Sequence, residues 1–267
     1  MNSLTSMHQL QHLPARSQVH AFAPGTIAVQ QLSVEYRMVQ ALQNVSFTIH
    51  PGQLIGIFGP NGAGKSTLVK AMLGLIPSIA GTTFYGDRPL TKQLERVAYV
   101  PQRSQIDWTF PATVWDVVLM GRVRKTGYFS RFSVPSRRVA AEAIEKVGMA
   151  EYRDRPIGQL SGGQQQRVFL ARSLAQEAEV FFFDEPFVGI DQKTEDLLFD
   201  MFRDLADQGK TVLVVNHDLG ESITHFDRLL LLNRELIAMG DRSEVLTVEN
   251  MSRAYGGHVS FFNSKAA

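Results

Sequence analysis

Apolar and polar residues alternate crudely from Ile27 to Glu35 and again from Leu42 to Ile49, which predicts two antiparallel strands at the edge of the fold. After Pro51-Gly52 the run Leu54 to Phe58 is apolar throughout, as in a strand buried on both faces. A glycine-rich turn follows, then helical spacing over Ser66 to Leu75, ended by Gly74 and Pro77. Val97 to Val100, Val180 to Phe183, Thr211 to Val215 and Arg228 to Leu232 predict further buried strands, with helices between most of them. Short apolar strands alternating with helices imply a mainly parallel sheet covered on both faces. Between Pro101 and Gln159 that rhythm stops. No strand is evident there, and Thr113 to Met120 and Ser136 to Val147 have helical patterns, so a helical subdomain is inserted into the α/β core. Glu244 to Arg253 reads as one or two short helices.

Composition narrows the function classes. With 267 residues, 44% of them hydrophobic, the chain can bury a substantial core. Its longest apolar runs fall far short of the roughly 20 residues a membrane-crossing helix needs. Met1 to Pro24 is rich in Gln, Ser and His and lacks the apolar stretch of a signal peptide, so the chain is expected in the cytoplasm. That stretch reads as a solvated arm, residues 1–25 forming a flexible tail. His8 and His12 stand four apart in it, with metal sensing as the lesser reading beside the solvated arm. The absence of cysteine excludes disulfides, thiolate zinc sites and iron–sulfur clusters. A net charge of +1 gives no basis for nucleic-acid binding. Only Arg103 to Arg138 is locally basic, with seven Arg or Lys against two Asp, a face either simply solvated or set beneath anionic headgroups.

The candidate chemistry sits at the ends of the predicted strands. Gly59-Pro60-Asn61-Gly62-Ala63-Gly64-Lys65-Ser66-Thr67 fits a phosphate loop, G-x-x-x-x-G-K-[ST], between an apolar strand and a helix. Its glycines let backbone N–H groups close around phosphate oxygens at a helix N-terminus. Lys65 is then expected to neutralise β and γ phosphates, and Ser66 to place its hydroxyl on Mg²⁺. The strand Val180 to Phe183 delivers Asp184 and Glu185, whose side chains should point opposite ways. Asp184 is expected to bind Mg²⁺ through water and Glu185 to act as general base on the attacking water. Two solvated acids capping a strand are the alternative. Leu160-Ser161-Gly162-Gly163-Gln164 opens a helix running to Ala175 and reads first as a capping box between Ser161 and Gln164. The two glycines lower helix propensity, which predicts a second phosphate site at this helix start.

The phosphate loop, then Leu-Ser-Gly-Gly-Gln, then Phe-Phe-Phe-Asp-Glu-Pro, in that order and spacing, resembles the ATPase subunit of an ABC transporter from about Ile27 to Gly240. The resemblance implies a P-loop NTPase core with a mainly parallel sheet, an N-terminal antiparallel β subdomain and an inserted helical signature subdomain. It places the ATPase domain at residues 26–250, the helical part at about 103–175 and a C-terminal tail at 251–267. It also implies a head-to-tail dimer. In such a dimer Ser161, Gly162, Gly163 and Gln164 serve the nucleotide held by the other copy's phosphate loop, and Asp191 in Gly189-Ile190-Asp191 contacts the other subunit; Asp191 would cap the next helix equally well. Tyr36 resembles the aromatic that stacks on adenine. Gln102 resembles the glutamine that touches Mg²⁺ and the attacking water, and His217 the switch histidine at the γ-phosphate. Phe187-Val188-Gly189-Ile190-Asp191 departs from the commoner Ser-Ala-Leu-Asp wording while keeping the Asp.

Asp107-Trp108-Thr109-Phe110-Pro111 and Pro186-Phe187 are similar to the manganese, zinc and chelated-iron importer branch of that family. This implies an ATP- and Mg²⁺-dependent subunit at the cytoplasmic face of the inner membrane, working with an integral permease and an extracytoplasmic metal-binding protein. Manganese is the first choice of cargo, with zinc or chelated iron as alternatives. A soluble non-transport ABC ATPase is the remaining reading, but the second ATPase domain or long coiled coil typical of that class is absent from the sequence.

Overall fold

The computed structural model describes residues 22–36, 38–127 and 130–256. His8 and His12 lie outside the described residues. Strands β1 (Ile27–Tyr36) and β2 (Val39–Ile49) pair antiparallel from Ile27↔Ile49 to Tyr36↔Val39, as the alternation predicts. They belong to a larger sheet, of order β2-β1-β4-β5, completed by β4 (Ala80–Tyr85) and β5 (Arg88–Pro89). Strand β4 carries no readable pattern because its first three residues are exposed and its buried positions include Thr83.

The second sheet has the order β10-β9-β3-β8-β7-β6. Its strands are β3 (Leu54–Phe58), β6 (Val97–Val100), β7 (Val180–Asp184), β8 (Thr211–Val215), β9 (Arg228–Asn233) and β10 (Glu235–Gly240). All neighbours are parallel except β10, which folds back on β9. The uninterrupted apolar runs follow from burial on both faces. Phe181, Phe183, Val212 and Val214 face one core, while Val180, Phe182, Leu213 and Val215 face the other.

The second core holds α1 (Lys65–Met72), three residues shorter at its C-terminal end than its apolar spacing suggests, with Leu73 as C-cap and Gly74 at a φ of +69°. The helical insertion comprises α2 (Val114–Met120), α3 (Val123–Thr126), α4 (Val134–Lys146) and α5 (Gly162–Ala175); α2, α4 and α5 pack on one another in the first core, while α3 buries no residue. Helix α4 starts two residues before Ser136, since Pro135 is tolerated in a first turn and Ser133 caps the Ser136 amide at 3.3 Å. Helix α6 (Gln192–Asp207) covers the sheet beside it. The chain closes with α7 (Arg242–Val245) and α8 (Val248–Tyr255). The expected tail boundary at residue 250 therefore falls inside α8, whose Met251 and Ala254 are buried in the first core. Among the described residues no helix is long and apolar enough to cross a membrane.

Candidate functional site

Residues 59–67 join β3 to α1 at the C-terminal edge of the parallel strands, where open α/β sheets place ligand sites. Backbone crowding dictates Gly59 and Gly64. A Cβ on Gly59 would sit 2.0 Å from the Leu232 carbonyl oxygen, and one on Gly64, with φ at +93°, 2.7 Å from that of Ala41. Residues 61–67 and Glu185 line a cleft of about 180 Å³. Lys65 is buried, 6% exposed, and its Nζ donates to the carbonyls of Gly59 at 2.8 Å and Pro60 at 3.1 Å. Burial lowers its pKa, against the opposing pull of Glu185 and Asp184.

Strand β7 brings the two acids to this loop. Ser66 Oγ donates to Asp184 Oδ1 at 2.8 Å, so residues 118 apart in sequence meet at the head of α1. Asp184 is 1% exposed, and its buried Oδ2 closes no hydrogen bond within 3.5 Å, although the Tyr99 hydroxyl lies near enough to act on the carboxylate. Burial raises the Asp184 pKa, helped by the Glu185 charge, while the Ser66 hydroxyl acts to lower it. Glu185, the residue after β7, occupies the left-handed region at φ +53°, so strand alternation does not set its direction, and its N–H lies on the Val215 carbonyl at 3.1 Å. Its Oε2 accepts from Gln102 Nε2 at 2.6 Å. Ser66 with Asp184 and Gln102 with Glu185 thus form two hydrogen-bonded pairs, and the charges of both acids act on Lys65.

The Ser161–Gly163 segment sits at the start of α5 in the helical insertion. Its capping box is formed in both directions: Ser161 Oγ accepts from the Gln164 amide at 3.3 Å, and Gln164 Oε1 from the Ser161 amide at 2.9 Å. The glycines have an explanation within the chain that differs from the expected one. A Cβ on Gly162 would lie 2.9 Å from the Gly189 carbonyl oxygen, and one on Gly163 would lie 3.0 Å from Thr194 Oγ1 and 3.1 Å from its Cγ2. Close packing of α5 against the Gly189 carbonyl and Thr194 thus favours small residues at both positions, a reason for the glycines apart from any phosphate. Ser161 is exposed, as is Asp191, whose Oδ1 accepts from the Thr194 amide at 2.9 Å as the N-cap of α6. Those hydrogen bonds hold the Asp191 carboxyl below its ordinary pKa.

Two other expected residues lie at the margins. Tyr36 ends β1 and is 45% exposed. His217 follows β8 and is exposed, while Asn216 just before it is buried with its amide on the Ile57 carbonyl at 3.0 Å. The structure adds Arg103, which no sequence signal singled out. Its Nε and Nη2 donate to Gln165 Oε1 at 3.1 and 2.9 Å, tying the residue after Gln102 to the first turns of α5. Trp108 reinforces the tie, donating from Nε1 to the Arg103 carbonyl at 3.0 Å and meeting Phe169 edge-on at 5.4 Å.

Residues 42–188 match the family described as ABC transporter. The chain is 50% identical over 239 residues to the manganese transport system ATP-binding protein MntB of Halalkalibacterium halodurans, covering 90% of this chain and 95% of the relative. It is 49% identical over 234 residues to the zinc transport system ATP-binding protein TroB of Treponema pallidum, covering 88% of each. Among solved structures, the dimeric structure of a bacterial ABC transporter cassette aligns with a TM-score of 0.71 at 27% identity, over 80% of this chain and 98% of that one.

Proposed function

The chain belongs to the ABC transporter family, and on that premise we propose that it is the ATP-hydrolysing subunit that energises import of a divalent transition metal, with manganese the first choice, through a separate membrane permease. The observation that carries the catalytic part is the Ser66–Asp184 hydrogen bond of 2.8 Å, which joins the phosphate loop to the paired acids at the end of β7. Similarity over nearly the whole chain to manganese and zinc transport subunits supports the cargo class.

In this reading residues 59–67 hold the triphosphate, and Lys65 turns from the Gly59 and Pro60 carbonyls to the β and γ phosphates. Tyr36 stacks on the adenine. The donors present suit Mg²⁺, which prefers hard oxygen ligands and keeps several waters. The Ser66 hydroxyl, the Gln102 side chain and Asp184, through its buried Oδ2, are the residues that would hold it. When bound, Mg²⁺ supplies charge neutralisation at the phosphate oxygens. Glu185 accepts the proton of the water that attacks the γ-phosphorus, and Gln102 orients its carboxylate. His217 hydrogen-bonds the γ-phosphate, and ADP and phosphate leave. Phosphoryl transfer asks mainly for such positioning and charge compensation.

Cassettes of this family dimerise and work with membrane permeases. The reading adds that Ser161, Gly162, Gly163, Gln164 and Asp191 of one copy complete the nucleotide site of the other. Binding then closes the interface and hydrolysis releases it. It also places the subunit on the cytoplasmic face of the inner membrane, its helical insertion against the permease, with an extracytoplasmic metal-binding protein delivering the ion. Zinc is the second reading, favoured by the 49% identity to a zinc transport subunit. The test is reconstitution with the permease encoded beside it, in vesicles carrying ATP on the cytoplasmic side, following manganese and zinc uptake. Wild type should accumulate manganese. Glu185→Gln should bind ATP and lose both hydrolysis and uptake. Hydrolysis retained by that variant removes Glu185 as the base, and uptake of zinc alone corrects the cargo.

A further inference from the structure

Arg103 follows Gln102 in the loop after β6 and is half-buried, yet among the described residues it forms no ion pair. Its Nε and Nη2 both go to one neutral oxygen, Gln165 Oε1, at 3.1 and 2.9 Å. A guanidinium spent on an amide is placed for geometry, since its rigid fork fixes direction as well as distance. Gln165 is 3% exposed. Its Nε2 donates to the Ile157 carbonyl at 3.1 Å and its backbone amide to the Ser161 carbonyl at 2.9 Å, so it grips the chain both before Ser161 and at it. Without Arg103 the buried Oε1 would be left unpaired, a desolvation cost relieved only if the start of α5 shifts.

The remaining guanidinium nitrogen, Nη1, borders both segments assigned to the dimer interface. A Cβ on Gly162 would lie 3.4 Å from it, and one on Gly189, two residues before Asp191, 3.6 Å. Trp108 fastens the backbone of Arg103 to the same helix, through its bond to the Arg103 carbonyl and its edge-on contact with Phe169. Adjacent residues therefore face different ways: Gln102 holds the chain's own Glu185 at 2.6 Å, and Arg103 holds the segment lent to the other copy. We propose that Arg103 is a positioning residue that acts in trans: through Gln165 it fixes Ser161–Gly163 for the nucleotide held by the other copy. The proposal rests on the shared-site dimer described above.

A mixed dimer of full-length chains tests the direction of this action. Lys65→Ala in one copy and Gly163→Asp in the other leave a single composite site, made of the phosphate loop of the Gly163→Asp copy and the Ser161–Gly163 segment of the Lys65→Ala copy. Arg103→Ala added to the Lys65→Ala copy should cut ATPase activity roughly ten-fold, as loss of a charge-assisted hydrogen bond implies. Added to the Gly163→Asp copy, it should cost distinctly less. Equal losses in the two placements mark general destabilisation and overturn the proposal. So does a larger loss in the Gly163→Asp copy, which puts Arg103 to work through Gln102 on its own nucleotide, and so does no loss in either. Gln165→Ala in the Lys65→Ala copy should reproduce the loss and add nothing to Arg103→Ala, because the two act through one tie; additive losses overturn the route through Gln165. Should Arg103→Ala not fold, Arg103→Lys keeps the charge and lacks the fork, and the two placements are compared in the same way. If the parent mixture, folded and paired, has no activity before Arg103 is touched, the shared-site reading itself fails and the proposal falls with it.

Discussion

At the scale of single residues, Gly163 distinguishes two explanations of the same sequence motif. Replacing a helical glycine with alanine ordinarily stabilises by about 0.5–1 kcal/mol. Here the new methyl would meet Thr194 at 3.0 Å, so Gly163→Ala should instead lower stability by roughly 1 kcal/mol or more, an overpacking cost. Adding Thr194→Ala should recover most of that loss in thermal melts, since the methyl then has room. If Gly163→Ala leaves the melting temperature untouched yet abolishes ATPase activity, the glycine answers to a partner's nucleotide and not to α6. The residue types of the phosphate loop were readable from sequence because their chemistry is local. The reason for Gly162 and Gly163 was not, because Gly189 and Thr194 come into contact only through the fold.

Among elements, the packing of α2, α3 and α5 depends on one charged junction just past α5. Arg122, with its side chain 7% exposed, donates to the Ala175 carbonyl at 2.7 Å and to Glu177 at 2.6 Å, and Lys125 reaches the same carboxylate at 2.6 Å. Hydrogen bonds from Lys125 and Arg122 lower the Glu177 pKa from its ordinary 4.5. An acid whose folded pKa is depressed contributes stability that is complete above the unfolded value and disappears as pH falls through the folded one. Glu177→Gln should therefore destabilise at pH 7, and the difference from wild type should vanish in melts taken below the carboxylate range. Glu177 is 48% exposed, so solvent screening holds the effect to about 1 kcal/mol or less. Sequence periodicity located α2, α4 and α5 to within two residues. It did not locate β4, whose first three residues are exposed, and β10 went unread although Leu236 to Met239 form a partly buried apolar run.

For the whole molecule, the proposed head-to-tail dimer makes a prediction that no monomer satisfies. Lys65→Ala disables a phosphate loop and spares the Ser161–Gly163 segment, while Gly163→Asp does the reverse. Each variant alone should be inactive. Mixed, they should regain ATPase activity, because one composite site of the heterodimer combines two intact halves. No recovery, with both variants folded and able to pair, removes the shared-site assembly. The sequence by itself determined the α/β class, the phosphate loop, the paired acids and the family, since these rest on short contiguous strings and on strand burial that makes whole runs apolar. Only the tertiary structure decided the strand order β10-β9-β3-β8-β7-β6, the meeting of Ser66 with Asp184 and the Arg103–Gln165 tie. Each of those joins residues distant along the chain. Their pairing is set by how sheets and helices share a core, which no local pattern of apolar and polar positions encodes.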